Sequence, residues 1–444
     1  MDRAVAIDLG AGSGRYALGE IRDGRIGFEV IRQIPHDATE DGGVLYWDIK
    51  ALQALCEEAA SFAKEKGAAS VGIDSWGVDH GFIDSQGNLI RPPVCYRDRS
   101  HVPAFESLAP YRNRLYALTG IQHQPFNTVC QLVARRLENP SLPYAGEWMI
   151  LPDLLGFLLT GRRNHETTQA STTQLQGLDG NWSAEVFEIA GWPAPRLEPT
   201  MPGAYGGCCG NGVHLAHVGS HDTASAVAGF GRLAADQMFL NAGTWSLAGV
   251  VINLPIATPA AEAAGFTNER TVDGKIRFLK NIPGFYVVNR LHKELGVSVP
   301  VAEWLSNAAG TDQAVDLFHP DFFNPESMVD TCLAQLADRL KDEREWADIA
   351  LNSMAVAAAS TIKNVTALTG REIRGIRVGG GGSQSEAFCR KLAETCGVQV
   401  ISGPAEVTVL GNLAAQFLAA GVFSNWDEAF LAVERSADSV TYSA

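Results

Sequence analysis

Three aspartates in this 444-residue chain stand among small residues in arrangements suited to phosphate and hydroxyl chemistry. Asp8 ends the apolar run Val5-Ala6-Ile7 and is followed by Leu9 and then Gly10-Ala11-Gly12-Ser13-Gly14-Arg15. Glycines at that spacing permit positive φ and leave backbone N–H groups open to an approaching anion. Asp79 closes Ser75-Trp76-Gly77-Val78-Asp79, which offers an aromatic wall, a hydrogen-bonding acid and a point of close approach, the usual means of holding a small polyol. A strand-end Asp beside a core Trp is the equally simple reading. Asp222, in Ser220-His221-Asp222-Thr223, precedes the small-residue helix 224–229. A helix N-terminus favours its charged form, which can accept a proton from a substrate hydroxyl, and an ordinary N-cap aspartate would look the same. Adjacent Ser220, His221 and Asp222 are not a nucleophilic triad, because such triads are assembled from separated parts of a chain.

These carboxylates need strands to deliver them. Arg15 to Ile21 reads as a second strand, and Asp23-Gly24 turns it into a third, so the first glycines form a strand–turn–strand loop. That separates them from G-x-x-x-x-G-K-[ST] and from G-x-G-x-x-G, both of which open helices. Asp48 reads as the N-cap of a helix with Leu52, Leu55, Ala59 and Phe62 on one face and Gly67 at its end. Ser70 to Asp74 is a short buried strand, and Val213 to Val218 is the strand that leads to His221 and Asp222. The opening pattern recurs over 238–250 with Gly243-Thr244 at the turn, so two related lobes are expected to grip a nucleoside triphosphate between two phosphate loops. A long apolar helix over 346–368 ends at Gly370. The strand 374–378 runs into Gly379-Gly380-Gly381-Gly382, a platform for a base and ribose or a flexible loop. Asn412 lies in an uncharged run that reads as a buried helix. The polar runs 122–128 and 166–173 could reach a sugar or solvate a surface, and solvation is the expectation. Cys208, Cys209, His214, His217 and His221 resemble metal ligands in spacing, but period two in a strand sends His214 and His217 to opposite faces.

The composition, 46% hydrophobic and 19% charged, is that of a globular protein, and the length suits two domains. A formal charge of −15 disfavours nucleic acid or an anionic membrane as partner, since the phosphate field would be repulsive. The start of the chain has neither a basic n-region nor an apolar h-region, and the eight cysteines are scattered, so reduced thiols and a cytoplasmic location are expected.

A series of short motifs then falls in order along nearly the whole chain: D-L-G-A-G-S-G-R from Asp8, I-D-S-W-G-V-D from Ile73, Y-R-D from Tyr96, P-F-N-T from Pro125 and T-T-Q-L from Thr172. S-H-D-T-A-S-A-V from Ser220, A-G-T-W-S-L from Ala242, T-N-E from Thr267 and L-K-N-I from Leu279 follow, then V-G-G-G from Val378, G-P-A-E from Gly403 and L-G-N from Leu410. The set resembles the FGGY family of carbohydrate kinases. The resemblance implies an α/β protein of the two-lobed actin-like (ribonuclease H-like) ATPase fold, each lobe a mixed sheet flanked by helices, with a cleft between lobes. It divides the chain into a sugar-binding and catalytic domain, 1–229, and a nucleotide-binding domain, 230–444. Asp222 would be the general base for the 1-hydroxyl of a ketose as it attacks ATP, and Asp8 would hold Mg2+. Ala11, Gly12, Ser13, Gly14 and Arg15 would form one phosphate loop, Gly243-Thr244 the other, and Gly380 part of the adenosine site. Gly77, His221 and Thr223 would line the ketose with Asp79, and Asn281 would reach ligand from the second lobe. Asn289 stands where a nucleotide-contacting Gln is expected, and the Gly206–Gly210 loop also departs from the pattern. The implied cofactors are ATP and Mg2+, and the implied sugar is L-rhamnulose. L-fuculose, a pentulose, or an actin-like ATPase without sugar transfer are the alternatives.

Overall fold

A computed structural model describes residues 2–243, 245–322, 325–336 and 342–443. The first three strands, Arg3–Gly10, Ser13–Arg22 and Arg25–Pro35, form an antiparallel meander. Its second turn is made by Asp23 (φ 51°) and Gly24 (φ 71°), the left-handed pair that a tight hairpin requires. The first turn differs from expectation. None of Gly10, Gly12 and Gly14 takes positive φ. Gly14 serves close packing instead, since a Cβ there would lie 2.8 Å from Leu55 Cδ2.

The chain gathers into two compact units that no single cut separates. The first unit comprises Met1–Arg232, Ile252–Phe278 and Thr408–Ser436; the second comprises Leu233–Val251, Leu279–Val407 and Ala437–Ala444. Burial explains the late return to the first unit. The strand Arg3–Gly10 is apolar on both faces. Val5, Ile7 and Leu9 pack with Leu52, Leu55, Cys56 and Ala59 of the helix Ile49–Glu65. Ala4 and Ala6 pack with Val409, Leu410, Leu413 and Phe417 of the helix Val407–Ala419. Strand alternation gives the sheet two dry faces, and the uncharged helix near the C-terminus covers the second.

The six-stranded sheet of the first unit runs Ala204–Cys208, His214–His217, Ser70–Ser75, Arg3–Gly10, Ser13–Arg22, Arg25–Pro35. Ser70–Ser75 pairs in parallel with Arg3–Gly10, Asp74 opposite Asp8, and with His214–His217 on its other side. In the second unit Ser246–Ile252, Gln237–Ala242, Gly375–Gly379, Gln399–Ser402 and Val440–Tyr442 lie in that order, the pairs Gln237–Ala242/Gly375–Gly379 and Gly375–Gly379/Gln399–Ser402 being parallel. Its long helix is Glu343–Thr369, opened by an Asp342–Glu345 capping box and closed by Gly370 at φ 70°. All eight cysteines are free thiols. Among the described residues no helix is long and apolar enough to cross a membrane.

Candidate active site

Parallel strands deliver their C-terminal residues to one edge, and three carboxylates meet there in the first unit. Asp8 is almost fully buried, and its Oδ2 accepts from Arg15 Nε at 2.9 Å and lies 2.8 Å from Arg15 Nη2. The antiparallel register sets Arg15 opposite Asp8, so the pair is a product of the hairpin itself. Asp74, on the neighbouring strand, is completely buried. Burial, and then the charge of Asp8, hold its carboxyl well above the ordinary range, while Asn412 Nδ2, donating at 2.5 Å, opposes the shift. Burial and the Asp8 charge thus favour the protonated form of Asp74.

Asp222 begins the helix Asp222–Ala228, and its side chain is 29% exposed. Its Oδ1 accepts from Thr223 N at 2.5 Å and Thr223 Oγ1 at 3.1 Å, and lies 3.4 Å from His221 Nε2. These contacts all fall on one oxygen. Burial raises its proton affinity, the Asp8 charge adds to that, and His221 and Thr223 pull the other way; the net shift is upward. A raised proton affinity suits a carboxylate that is to take a proton from a hydroxyl. The strand end that carries it is pinned from several sides. Ser75 N donates to Ser220 O at 2.9 Å, and Gln169 Nε2 bridges Ser75 O, Trp76 O and Ser220 O at 3.0–3.1 Å.

Gly77 faces Thr172 and His221, with the position of a Cβ 3.2 Å from Thr172 Oγ1 and 3.3 Å from His221 Nε2. Val78 has φ 71°, a strained conformation for a β-branched residue, and is held there by Thr172 Oγ1 on its N–H and Thr128 Oγ1 on its carbonyl. Asp79 departs from expectation. It is wholly buried, and Trp47 Nε1, Trp76 Nε1 and Tyr96 N donate to its Oδ2 while Gln131 Nε2 donates to Oδ1. Burial lifts it to about 6 against those four donors. Its carboxylate locks the two indoles instead of facing a polyol.

The run 166–173 is also unlike the solvated surface its composition suggested, and Glu166 to Thr173 are all buried. Glu166 Oε2 accepts from Ser220 N (3.1 Å), Ser220 Oγ (2.5 Å), Thr168 Oγ1 (2.5 Å) and Gln169 N (3.2 Å), and Oε1 accepts from Thr168 N (2.9 Å). Asn127 and Thr128, in the other polar run, are buried as well. Glu166, Gln169, Thr172, Asp74, Glu269 and Arg277 thus belong to the site without having been singled out by residue type. The motifs T-T-Q-L and T-N-E were the available signal for Thr172 and Glu269.

His214 stacks on Tyr205, and His217 Nδ1 meets Asn164 Nδ2 at 3.1 Å. Among the described residues no three His, Cys, Asp or Glu side chains converge as a metal cage. The donor set at the strand ends, oxygen carboxylates compensated by one arginine, fits a hard cation that keeps water and phosphate as its remaining ligands.

The second unit holds the other expected positions. Gly380 takes φ 78°, and a Cβ there would lie 2.9 Å from Asn241 Oδ1 and 3.0 Å from Ala242 O, so this turn admits only glycine without strain. Asn281 is exposed on the strand Ile276–Ile282, and Asn289 is exposed on the helix Phe285–Glu294. Thr244 lies outside the described residues.

Residues 3–208 match the N-terminal domain of the FGGY family of carbohydrate kinases, and residues 238–420 match its C-terminal domain. The chain is 34% identical over 438 residues to a rhamnulokinase of Yersinia pestis (strain Pestoides F), covering 94% of this chain and 90% of that one. It is 32% identical over 454 residues to a rhamnulokinase of Bacillus subtilis (strain 168), covering 97% and 93%. Among solved structures it matches a ligand-bound xylulose kinase from Lactobacillus acidophilus with a TM-score of 0.83 at 16% identity, over 100% of this chain and 94% of the other. Plasmodium falciparum glycerol kinase with ADP gives 0.79 at 14%, over 100% and 94%. At such identities the structural matches establish the fold.

Proposed function

Because the chain belongs to the FGGY family of carbohydrate kinases, and is thereby a sugar phosphotransferase, we propose that it transfers the γ-phosphoryl group of ATP to the 1-hydroxyl of L-rhamnulose, giving L-rhamnulose 1-phosphate. Asp222 is the general base. As the sugar O1 attacks the γ-phosphorus, the proton of the 1-hydroxyl passes to Asp222 Oδ2. The new O–P bond forms while the bond from the γ-phosphorus to the bridging oxygen breaks, and ADP leaves with that electron pair. Gly77, His221 and Thr223 line the sugar, with Asn281 as a further contact. The 11–15 turn, Thr244, Asn289 and Gly380 serve ATP. Asp8 would hold Mg2+, which would supply neutralisation of the charge developing on the phosphate oxygens.

The observation that carries this reading is the Asp222 carboxylate, fixed through Oδ1 and with raised proton affinity, beside the phosphate-loop aspartate. The rhamnulokinase relatives, matching nearly end to end, support L-rhamnulose as the sugar. The test is ADP release with MgATP over a panel of ketoses and aldoses, beside Asp222→Asn. L-rhamnulose should give the highest kcat/KM, and the variant should lose ~10²–10⁴-fold in turnover, as for a lost general base. Preference for another ketose would move only the substrate; ADP release indifferent to every sugar would overturn the proposal.

A further inference from the structure

Behind His221 lies a buried ion pair that the general-base role alone does not call on. Glu269 is on the strand Thr267–Arg270, and Arg277, with no exposed surface, is on the strand Ile276–Ile282. Arg277 Nη2 is 3.2 Å from His221 Nδ1 and 3.1 Å from Glu269 Oε2, and that oxygen is 3.3 Å from His221 Nδ1. On the far side of the ring, Nε2 is 3.4 Å from Asp222 Oδ1. A guanidinium has donors only, so an Nη2–H aligned on Nδ1 makes that nitrogen an acceptor. A neutral imidazole then carries its proton on Nε2, the nitrogen facing Asp222. Glu269 Oε2 has no aligned donor among the described residues, so its part is to balance the charge of the buried Arg277. Burial pushes the Glu269 carboxyl up, but the opposing charge, led by Arg277, holds it below the ordinary range.

We propose that Arg277 and Glu269 are positioning residues that fix the Nε2–H tautomer of His221, so that Nε2–H holds Asp222 Oδ1 and leaves Oδ2 for the sugar hydroxyl. The inference rests on Asp222 being the base. With the other tautomer, a lone pair on Nε2 would face a carboxylate oxygen, and Asp222 would turn or retain a proton. The charged and titratable groups around the ring are Asp222, Glu269 and Arg277, with Asp8 acting on Asp222 and Glu166 on Arg277.

The experiment is nitrogen NMR of the full chain labelled at histidine, with His221 assigned by its loss in His221→Gln. A protonated, pyrrole-type Nε2 and a pyridine-type Nδ1 are expected; the reverse pattern overturns the proposal. In parallel, Arg277→Met should lower kcat by roughly 10-fold or more, as a wrong tautomer does, with the KM for ATP within about 2-fold of the parent. Arg277→Lys, which restores a donor, should recover part of that loss. A folded Arg277→Met protein with the parental kcat and tautomer would refute the role, and if that variant fails to fold, the parental spectrum still decides. Asp222→Asn separates the two readings. An active Asp222→Asn enzyme overturns the general base, whereas an inactive one beside an Nδ1–H parent overturns only this inference.

Discussion

Replacing Glu166 with glutamine changes one atom in a carboxylate that accepts five hydrogen bonds and touches none of the reacting groups. The donors are Ser220 N and Oγ, Thr168 N and Oγ1, and Gln169 N. Whichever oxygen becomes an NH2, it faces at least one backbone N–H that cannot turn away. If Oε1 is replaced, Thr168 N loses its acceptor and the new NH2 is buried against it. A lost charge-assisted bond costs about 1.5–3 kcal/mol, and a buried unsatisfied donor about 1–3 kcal/mol, so a loss of about 3 kcal/mol is expected. Ser220 directly precedes His221 and Asp222, and Thr168 Oγ1 also accepts from His221 N at 3.2 Å. A shift of that anchor therefore reaches the base. Misplacement of a reacting group by about 1 Å costs ~10²-fold, so kcat should fall by ~10–10²-fold even where the variant is fully folded. Urea unfolding at pH 8 gives the first number, and initial rates at saturating sugar and MgATP give the second. A Glu166→Gln enzyme within about 0.5 kcal/mol of the parent and with parental kcat would refute the reasoning, because surface substitutions behave that way.

Three further outcomes follow from the geometry. Gly77→Ala puts a Cβ 3.2 Å from Thr172 Oγ1 and 3.3 Å from His221 Nε2. It should raise the KM for the sugar about tenfold, equivalent to about 1.4 kcal/mol, and leave the KM for ATP unchanged in steady-state kinetics. Gly380→Ala forces a side chain into φ 78° against Asn241 and Ala242, a strain of about 1–3 kcal/mol, so the KM for ATP should rise while that for sugar stays constant. Equal changes in both constants would count against either assignment. Asp153 is buried, and burial, then the Glu166 charge, lifts its carboxyl to about 7. The folded state thus binds this proton where the unfolded chain, titrating near 3.9, has released it. Stability from this group is full below about pH 4 and is lost as pH rises to 7, so Asp153→Asn should flatten the decline in urea midpoint between pH 5 and 8. Parallel declines in the two proteins would argue against the assignment.

Local rules carried the reading wherever the partners are close in sequence. The hairpin at Asp23-Gly24, the Asp48 cap, the Gly370 stop and the delivery of Asp8 and Asp222 to strand ends follow from turn chemistry, capping and periodicity, and the structure has them. The ordered motifs also sufficed to place the chain in its family, which the domain matches establish. Local rules failed where burial decides. The 166–173 run is as polar as a surface loop, yet its donors and acceptors satisfy one another inside the first unit. Asp79 has the residue type for a polyol but spends its lone pairs on Trp47, Trp76, Tyr96 and Gln131. The first loop's glycines have the freedom to adopt positive φ and do not use it.

By itself, then, the sequence determined the strands, the turns and the acids at their ends, because those depend on interactions within a few residues. Only the tertiary structure decided which acid is pushed toward its protonated form. The Asp74 carboxyl is pushed up because burial under a helix that returns to cover the sheet, and the charge of Asp8 opposite it, outweigh the hydrogen bond donated by Asn412, 338 residues away on that helix. Arg277 likewise meets His221 across 56 residues. Protonation state and side-chain orientation follow from dielectric and neighbouring charge, and these are fixed only when distant segments exclude water together.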